Sequence, residues 1–137
     1  MTELSEQQIE QLLQGAARAA RNAYAPFSKF FVGAAILTQH GEIFTGCNVE
    51  NSSFGLTNCA ERTAIFTAVA AGALGANQDL VAIAVVNRDG AVCSPCGACR
   101  QVIFEFGPEA VVIYRDHSGK IVQSKAKDLL PEGFRLR

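Results

Sequence analysis

The sequence predicts an α/β layered fold carrying about five strands. Three observations lead there. A helical apolar pattern opens the chain, a hairpin pattern follows it, and apolar runs of strand length then alternate with helical stretches. The 137 residues suit one domain over 1–137, and a 49% hydrophobic content is enough to fill its core.

Each element has its own signal. Ser5 stands three residues before Gln8 in a capping-box arrangement. Leu4, Ile9, Leu12, Leu13, Ala16, Ala17 and Ala20 recur at helical spacing, so residues 5–23 should be an amphipathic helix stopped by Tyr24-Ala25-Pro26-Phe27. Phe30–Leu37 and Glu42–Cys47 flank Gln39-His40-Gly41 and read as a β-hairpin. Residues 48–58 are polar and turn-rich, hence a loop. An alanine-rich helix should run from Cys59 to Gly72, with Gly72 and Gly75 ending it. Leu80–Val86 is a continuous apolar run, as in a strand covered on both faces. Cys96–Phe106 reads as a short helix halted by Gly107-Pro108. Ala110–Tyr114 is a further strand. A turn at Asp116-His117-Ser118-Gly119 leads to a weaker strand near Ile121–Gln123, then to a short helix over Lys125–Leu130. His40 and His117 fall in these turns and read as turn residues.

Composition removes several function classes. Twelve basic residues against 13 acidic ones leave a net charge of −1, and the basic residues are scattered, so there is no footprint for a nucleic-acid partner. No apolar stretch reaches the ~18 residues that a membrane span requires. The start, Met1-Thr2-Glu3-Leu4-Ser5-Glu6, is acidic and lacks the basic-then-apolar order of a signal peptide. A cytoplasmic protein with neither membrane nor nucleic-acid partner is expected. Five cysteines, three of them within 93–99, then point to metal ligation before a disulfide framework.

The chemistry concentrates in Cys59-Ala60-Glu61 and Pro95-Cys96-Gly97-Ala98-Cys99. Both motifs fall where a loop enters a predicted helix, and free N–H groups there favour thiolate over thiol. A Cys-x-x-Cys turn places two sulfurs on one metal, so Cys96 and Cys99 are natural partners, with Cys59 as the third ligand. Cys93-x-x-Cys96 competes by spacing, but Pro95 breaks the chain before Cys96 and leaves Cys93 in the preceding loop. A closed four-cysteine structural site, with Cys47 or Cys93 as the fourth ligand, is the bland alternative; it gives Glu61 no task. Three thiolates with an open fourth position, beside a carboxylate that does not bind the metal, instead suit zinc-assisted hydrolysis with Glu61 moving protons. Three thiolates also leave the zinc site net negative, which weakens its Lewis acidity. Arg62 could withdraw that charge by hydrogen bonding to sulfur, or it could be a surface arginine.

These residues resemble the small, single-domain, homotetrameric cytidine deaminases. The resemblance runs through Tyr24-Ala25-Pro26-Phe27-Ser28-Lys29-Phe30, Val32-Gly33-Ala34-Ala35, Gly46-Cys47-Asn48-Val49-Glu50-Asn51 and Cys59-Ala60-Glu61-Arg62-Thr63-Ala64. It continues in Ser94–Val102 and in Leu129-Leu130-Pro131 with Phe134, covering nearly the whole chain. It implies a three-layer α/β/α domain on a five-stranded mixed sheet and hydrolytic deamination of cytidine and 2′-deoxycytidine. It also implies one zinc ion per subunit on Cys59, Cys96 and Cys99, with Glu61 as the catalytic proton shuttle. Asn48 and Glu50 would hold the ribose 3′-hydroxyl, and Phe30 would pack against the pyrimidine. The N–H of Ala60 and the carbonyl of Ser94 would contact the base. Phe134 would reach in from a neighbouring subunit of a homotetramer. Phe54 stands where many relatives carry tyrosine, beside the substrate. A deaminase of a related aminopyrimidine nucleoside, such as blasticidin S, is the nearest rival. A zinc-stapled binding module without catalysis is the rival from another class.

Overall fold

The computed structural model describes residues 3–137. The chain opens with α1 (Glu6–Ala20), started by the capping box: Gln8 N donates to Ser5 Oγ at 3.1 Å and Ser5 N donates to Gln8 Oε1 at 2.9 Å. The helix ends three residues before the expected position 23. Beyond it, Tyr24 N donates to the Asn48 carbonyl at 3.0 Å and Glu50 N donates to the Tyr24 carbonyl at 2.8 Å. That bridge draws the chain off the helix axis just after Ala20, where the apolar pattern ends.

β1 (Val32–Thr38) and β2 (Ile43–Cys47) form the expected hairpin. β1 begins two residues late because Lys29 turns the chain with φ at +58°. Val32 N and the Phe30 carbonyl are then taken by the Asn48 side chain. A 3-10 turn, Phe54–Leu56, interrupts the loop that the sequence left irregular. After α2 (Ala60–Ala70), β3 (Leu80–Asn87) pairs antiparallel with the other edge of β1. α3 (Gly97–Phe106) crosses back to β4 (Val111–Arg115), which runs parallel to β3. β5 (Ile121–Lys125) is antiparallel to β4 and two residues longer than the sequence suggested; α4 (Ala126–Leu129) follows it.

The result is a five-stranded mixed sheet, order β2-β1-β3-β4-β5, with helices on both faces. Alternation along the strands divides the core in two. Ala35, Leu37, Ala82, Ala84 and Ile113 pack against Leu12 and Ala16 of α1. Ala34, Ile36, Ile83, Val85 and Val112 face the other way, among Ala64, Ile65 and Ala68 of α2 and Ile103 of α3. Burying one such Leu, Ile or Val side chain is worth about 1.5–3 kcal/mol, so both layers are firmly held. The helices come close because two strand positions lack side chains. A Cβ on Gly33 would lie 1.9 Å from the Ala16 carbonyl oxygen of α1, and one on Gly46 would lie 2.4 Å from Ala64 N of α2. At the end of the chain, Arg135 and Arg137 donate to the Glu105 carbonyl at 3.1 and 3.3 Å, placing positive charge at the C-terminal end of α3. No helix among the described residues is long and apolar enough to cross a membrane.

Candidate active site

Two helix starts meet at one edge of the core. Cys59 is the N-cap of α2 and Cys96 is the N-cap of α3, both with extended backbone. Cys96 Sγ accepts from the Cys99 N–H at 3.5 Å, so the start of α3 folds Cys96 and Cys99 towards each other. The Sγ atoms of Cys59, Cys96 and Cys99 all lie within 4.8 Å of one another, with Cys59 and Cys96 3.9 Å apart. Sulfurs at corners of a tetrahedron, each about 2.3 Å from zinc, stand roughly 3.8 Å apart. The trio therefore fits zinc by donor type and by spacing. Cys99 is buried behind it, while Cys59 and Cys96 line a cleft of about 290 Å³, so the trio is open on the cleft side.

The closed four-cysteine alternative finds no support among the described residues, because neither Cys47 nor Cys93 joins the sulfur group. Cys47 is half-buried, with its thiol raised above the ordinary range by burial. Cys93, expected in the loop before Pro95, is a buried wall of the cleft, and burial pushes its thiol up to about 12. It therefore contributes neutral, apolar surface.

Arg62 does not lie free on the surface. Its Nη2 donates to Cys59 Sγ at 3.2 Å, and its buried Nε has no hydrogen-bond partner of its own. The Cys59 thiol is lowered to about 5, first by a hydrogen bond from the Cys99 thiol and then by the Arg62 guanidinium. Cys99 moves the opposite way, holding its proton towards Cys59 within a buried setting.

Glu61 follows in the first turn of α2 and also lines the cleft, with only 4% of its surface exposed. Burial pushes its carboxyl up to about 7. A carboxyl held near neutrality can both take and return a proton, which is what an acid–base residue requires. Ala60, heading the same helix, lines the cleft where the first N–H groups have no intrahelical acceptor.

Phe30, Asn48 and Glu50 line the same cleft. Asn48 and Glu50 are nearly buried. Asn48 Oδ1 accepts from Val32 N at 2.9 Å and Nδ2 donates to the Phe30 carbonyl at 2.8 Å. Glu50 Oε1 accepts from the N–H groups of Phe27 at 2.9 Å and Ser28 at 3.2 Å, while Oε2 accepts from the Ser28 hydroxyl. That hydroxyl, helped by the backbone donors and Lys29, holds the Glu50 carboxyl below its ordinary value. Ser94 completes this wall near Cys96.

Two further residues that the resemblance brings to the site, Phe54 from this chain and Phe134 from a neighbouring subunit, do not line this cleft. Phe54, 73% exposed, lies over an adjoining depression and meets Phe27 edge-on with ring centres 5.5 Å apart. Phe134, 67% exposed, does not line the cleft of its own chain; its carbonyl accepts from Gln101 Nε2 at 3.2 Å. Sequence reasoning missed Ser28 and Cys93 as cleft residues. The signal for Ser28 was its place in the Tyr-Ala-Pro-Phe-Ser segment, but its partner lies 22 positions away.

Comparison with known proteins agrees with this geometry. Residues 6–115 match the family model described as the cytidine and deoxycytidylate deaminase zinc-binding region. The chain is 45% identical over 127 residues to a cytidine deaminase of Sporosarcina psychrophila, covering 92% of this chain and 90% of that one. It is 44% identical over 126 residues to a cytidine deaminase of Mycobacterium tuberculosis, covering 91% and 89%. The crystal structure of cytidine deaminase from Burkholderia pseudomallei superposes with a TM-score of 0.83 at 46% identity, over 96% of this chain and 100% of that chain.

Proposed function

We propose, starting from the fact that this chain belongs to the cytidine and deoxycytidylate deaminase family, that it hydrolyses cytidine and 2′-deoxycytidine to uridine and 2′-deoxyuridine with release of ammonia. The observation that carries the reading is Glu61, a buried carboxyl in the cleft beside a three-sulfur site open on that same side. Zinc on Cys59, Cys96 and Cys99 supplies, when bound, the Lewis acidity that makes water a nucleophile at neutral pH.

The rest of the chemistry falls to side chains of this protein. Glu61 accepts a proton from the attacking water and passes it to ring N3 as C4 gains its oxygen. It then takes the second proton of that water and delivers it to the exocyclic amine, which leaves as ammonia. One carboxyl serves both transfers because it lies between the nucleophile and the ring edge. Arg62, bonded to Cys59 Sγ, draws negative charge off the sulfur set and keeps the site electrophilic. Phe30 covers one face of the pyrimidine, and the free N–H groups at Ala60 with the Ser94 carbonyl read its polar edge. Asn48 retains one N–H and Glu50 one lone pair on Oε2 after their own hydrogen bonds, enough to grip one ribose hydroxyl as donor and acceptor.

The working enzyme is a cytoplasmic homotetramer in which a neighbouring subunit brings Phe134 to the cleft. Exposed Phe54 and Leu56 in the 3-10 turn and Phe66 on α2 support this, since such apolar surface is normally covered. Cytidine is favoured over an aminoacyl-nucleoside such as blasticidin S by the names of the relatives. The test is to incubate purified protein with cytidine, with and without a chelator, and follow uridine by absorbance. Chelator-sensitive conversion is expected; full zinc occupancy with no conversion of either nucleoside would overturn the reading.

A further inference from the structure

The turn between α1 and β1 is built around one hydroxyl. Ser28 Oγ donates to Glu50 Oε2 and at the same time accepts from Phe30 N at 3.0 Å. Phe30 is held from its other side by Asn48, whose Nδ2 donates to the Phe30 carbonyl at 2.8 Å. The residue between Ser28 and Phe30 is Lys29, in a left-handed conformation with φ at +58° that a non-glycine residue adopts only when its surroundings impose it. Ser28 N and Phe27 N, both bonded to Glu50 Oε1, supply that imposition.

These contacts fix how much of Glu50 is left for a ligand. A carboxylate has about four lone-pair positions. Two backbone donors occupy Oε1 and the Ser28 hydroxyl occupies one position on Oε2, which leaves Oε2 with a single acceptor direction into the cleft. That direction is set by where the Ser28 hydroxyl sits. The same hydroxyl sets the position of the Phe30 backbone and hence of the ring that walls the cleft.

We propose that Ser28 is a positioning residue that couples the sugar-gripping carboxylate to the base-covering ring, so that nucleosides are recognised through the sugar and the base together. The inference rests on the reading above, in which Glu50 meets the ribose 3′-hydroxyl. Ser28 touches no reacting atom; it aims Glu50 Oε2 and seats Phe30. Loss of the hydroxyl leaves Glu50 its two backbone donors but frees Oε2 to rotate among several acceptor directions. The penalty then falls on ground-state and transition-state binding alike, and so on KM.

The experiment measures kcat and KM of wild type, Ser28→Ala and Ser28→Thr with cytidine and with 3′-deoxycytidine, alongside the Tm of each. For Ser28→Ala the KM for cytidine should rise about tenfold or more, as loss of a hydrogen bond to a charged group does, with kcat changed less than about twofold. The rise should shrink to about threefold or less for 3′-deoxycytidine, which offers Glu50 nothing to grip. Ser28→Thr, which keeps the hydroxyl, should restore most of the affinity. An unchanged KM overturns the proposal, as does an equal rise for both nucleosides or a fall in kcat at constant KM. If Ser28→Ala does not fold, Ser28→Thr decides alone: a KM near wild type for both substrates supports the coupling, and a loss common to both overturns it. If wild type converts neither nucleoside, the functional reading itself falls and takes the coupling with it, an outcome distinct from any Ser28 effect.

Discussion

Glu61→Gln keeps the size and the buried setting of the side chain but cannot take a proton. Metal content and Tm should stay near wild type while kcat drops by about 10²–10⁴-fold; metal analysis and the uridine assay check both halves. Arg62→Gln removes the donor to Cys59 Sγ. It should lower zinc affinity or kcat by about 10–100-fold, measured by chelator competition and by turnover. Glu50 allows a pH test. Its carboxyl is lowered from 4.5 by the Ser28 hydroxyl, so it stabilises the fold fully above that value and loses its contribution as pH falls through its own depressed value. The Tm gap between wild type and Glu50→Gln should thus be largest near neutrality and close on strong acidification; a gap that widens in acid refutes the assignment. At this scale the sequence was most readable where chemistry is local. Cys-Ala-Glu and Pro-Cys-Gly-Ala-Cys each place their own groups through the local geometry of a helix start. Ser28 with Glu50, and Cys93 in the cleft wall, depend on chain folding over many residues, and no spacing rule reaches them.

Elements were legible in kind and order, and less so in their limits. Every expected helix and strand is present, because period and capping are local properties. The limits of α1 and β1 moved because the Tyr24–Val49 bridge and the Asn48 side chain overrule local pattern from across the fold. The short turn Phe54–Leu56 had no periodic signal at all. Close packing of elements also yields a prediction. Gly46→Ala sets a Cβ 2.4 Å from Ala64 N and 2.9 Å from the Thr63 carbonyl carbon, both in the helix that carries Cys59 and Glu61 at its start. The helix must move, at about 1–3 kcal/mol. Tm should fall by several degrees and kcat should fall with it, because the displaced segment bears the site. Loss of Tm with kcat intact would mean that α2 yields without shifting its first turn.

For the whole molecule, the decisive quantity is mass in solution. Light scattering should return about four times the 14.6 kDa of the chain, and Phe54→Ser should weaken that assembly on dilution. A monomer that turns over cytidine at full rate would dissociate assembly from activity. Helical period and motif spacing say nothing about what would cover the exposed Phe54 and Phe134, since these are surfaces that one chain leaves bare.

The sulfur trio also joins stretches of chain that are far apart in order, Cys59 at one helix start and Cys96 with Cys99 at another. An ion gripping all three acts as a removable cross-link closing a long loop, and a closure of that kind chiefly penalises the unfolded ensemble. Stripping the ion should therefore speed opening of the first turns of α2 and α3 well before the remainder loosens, visible as early amide hydrogen exchange confined to those two segments.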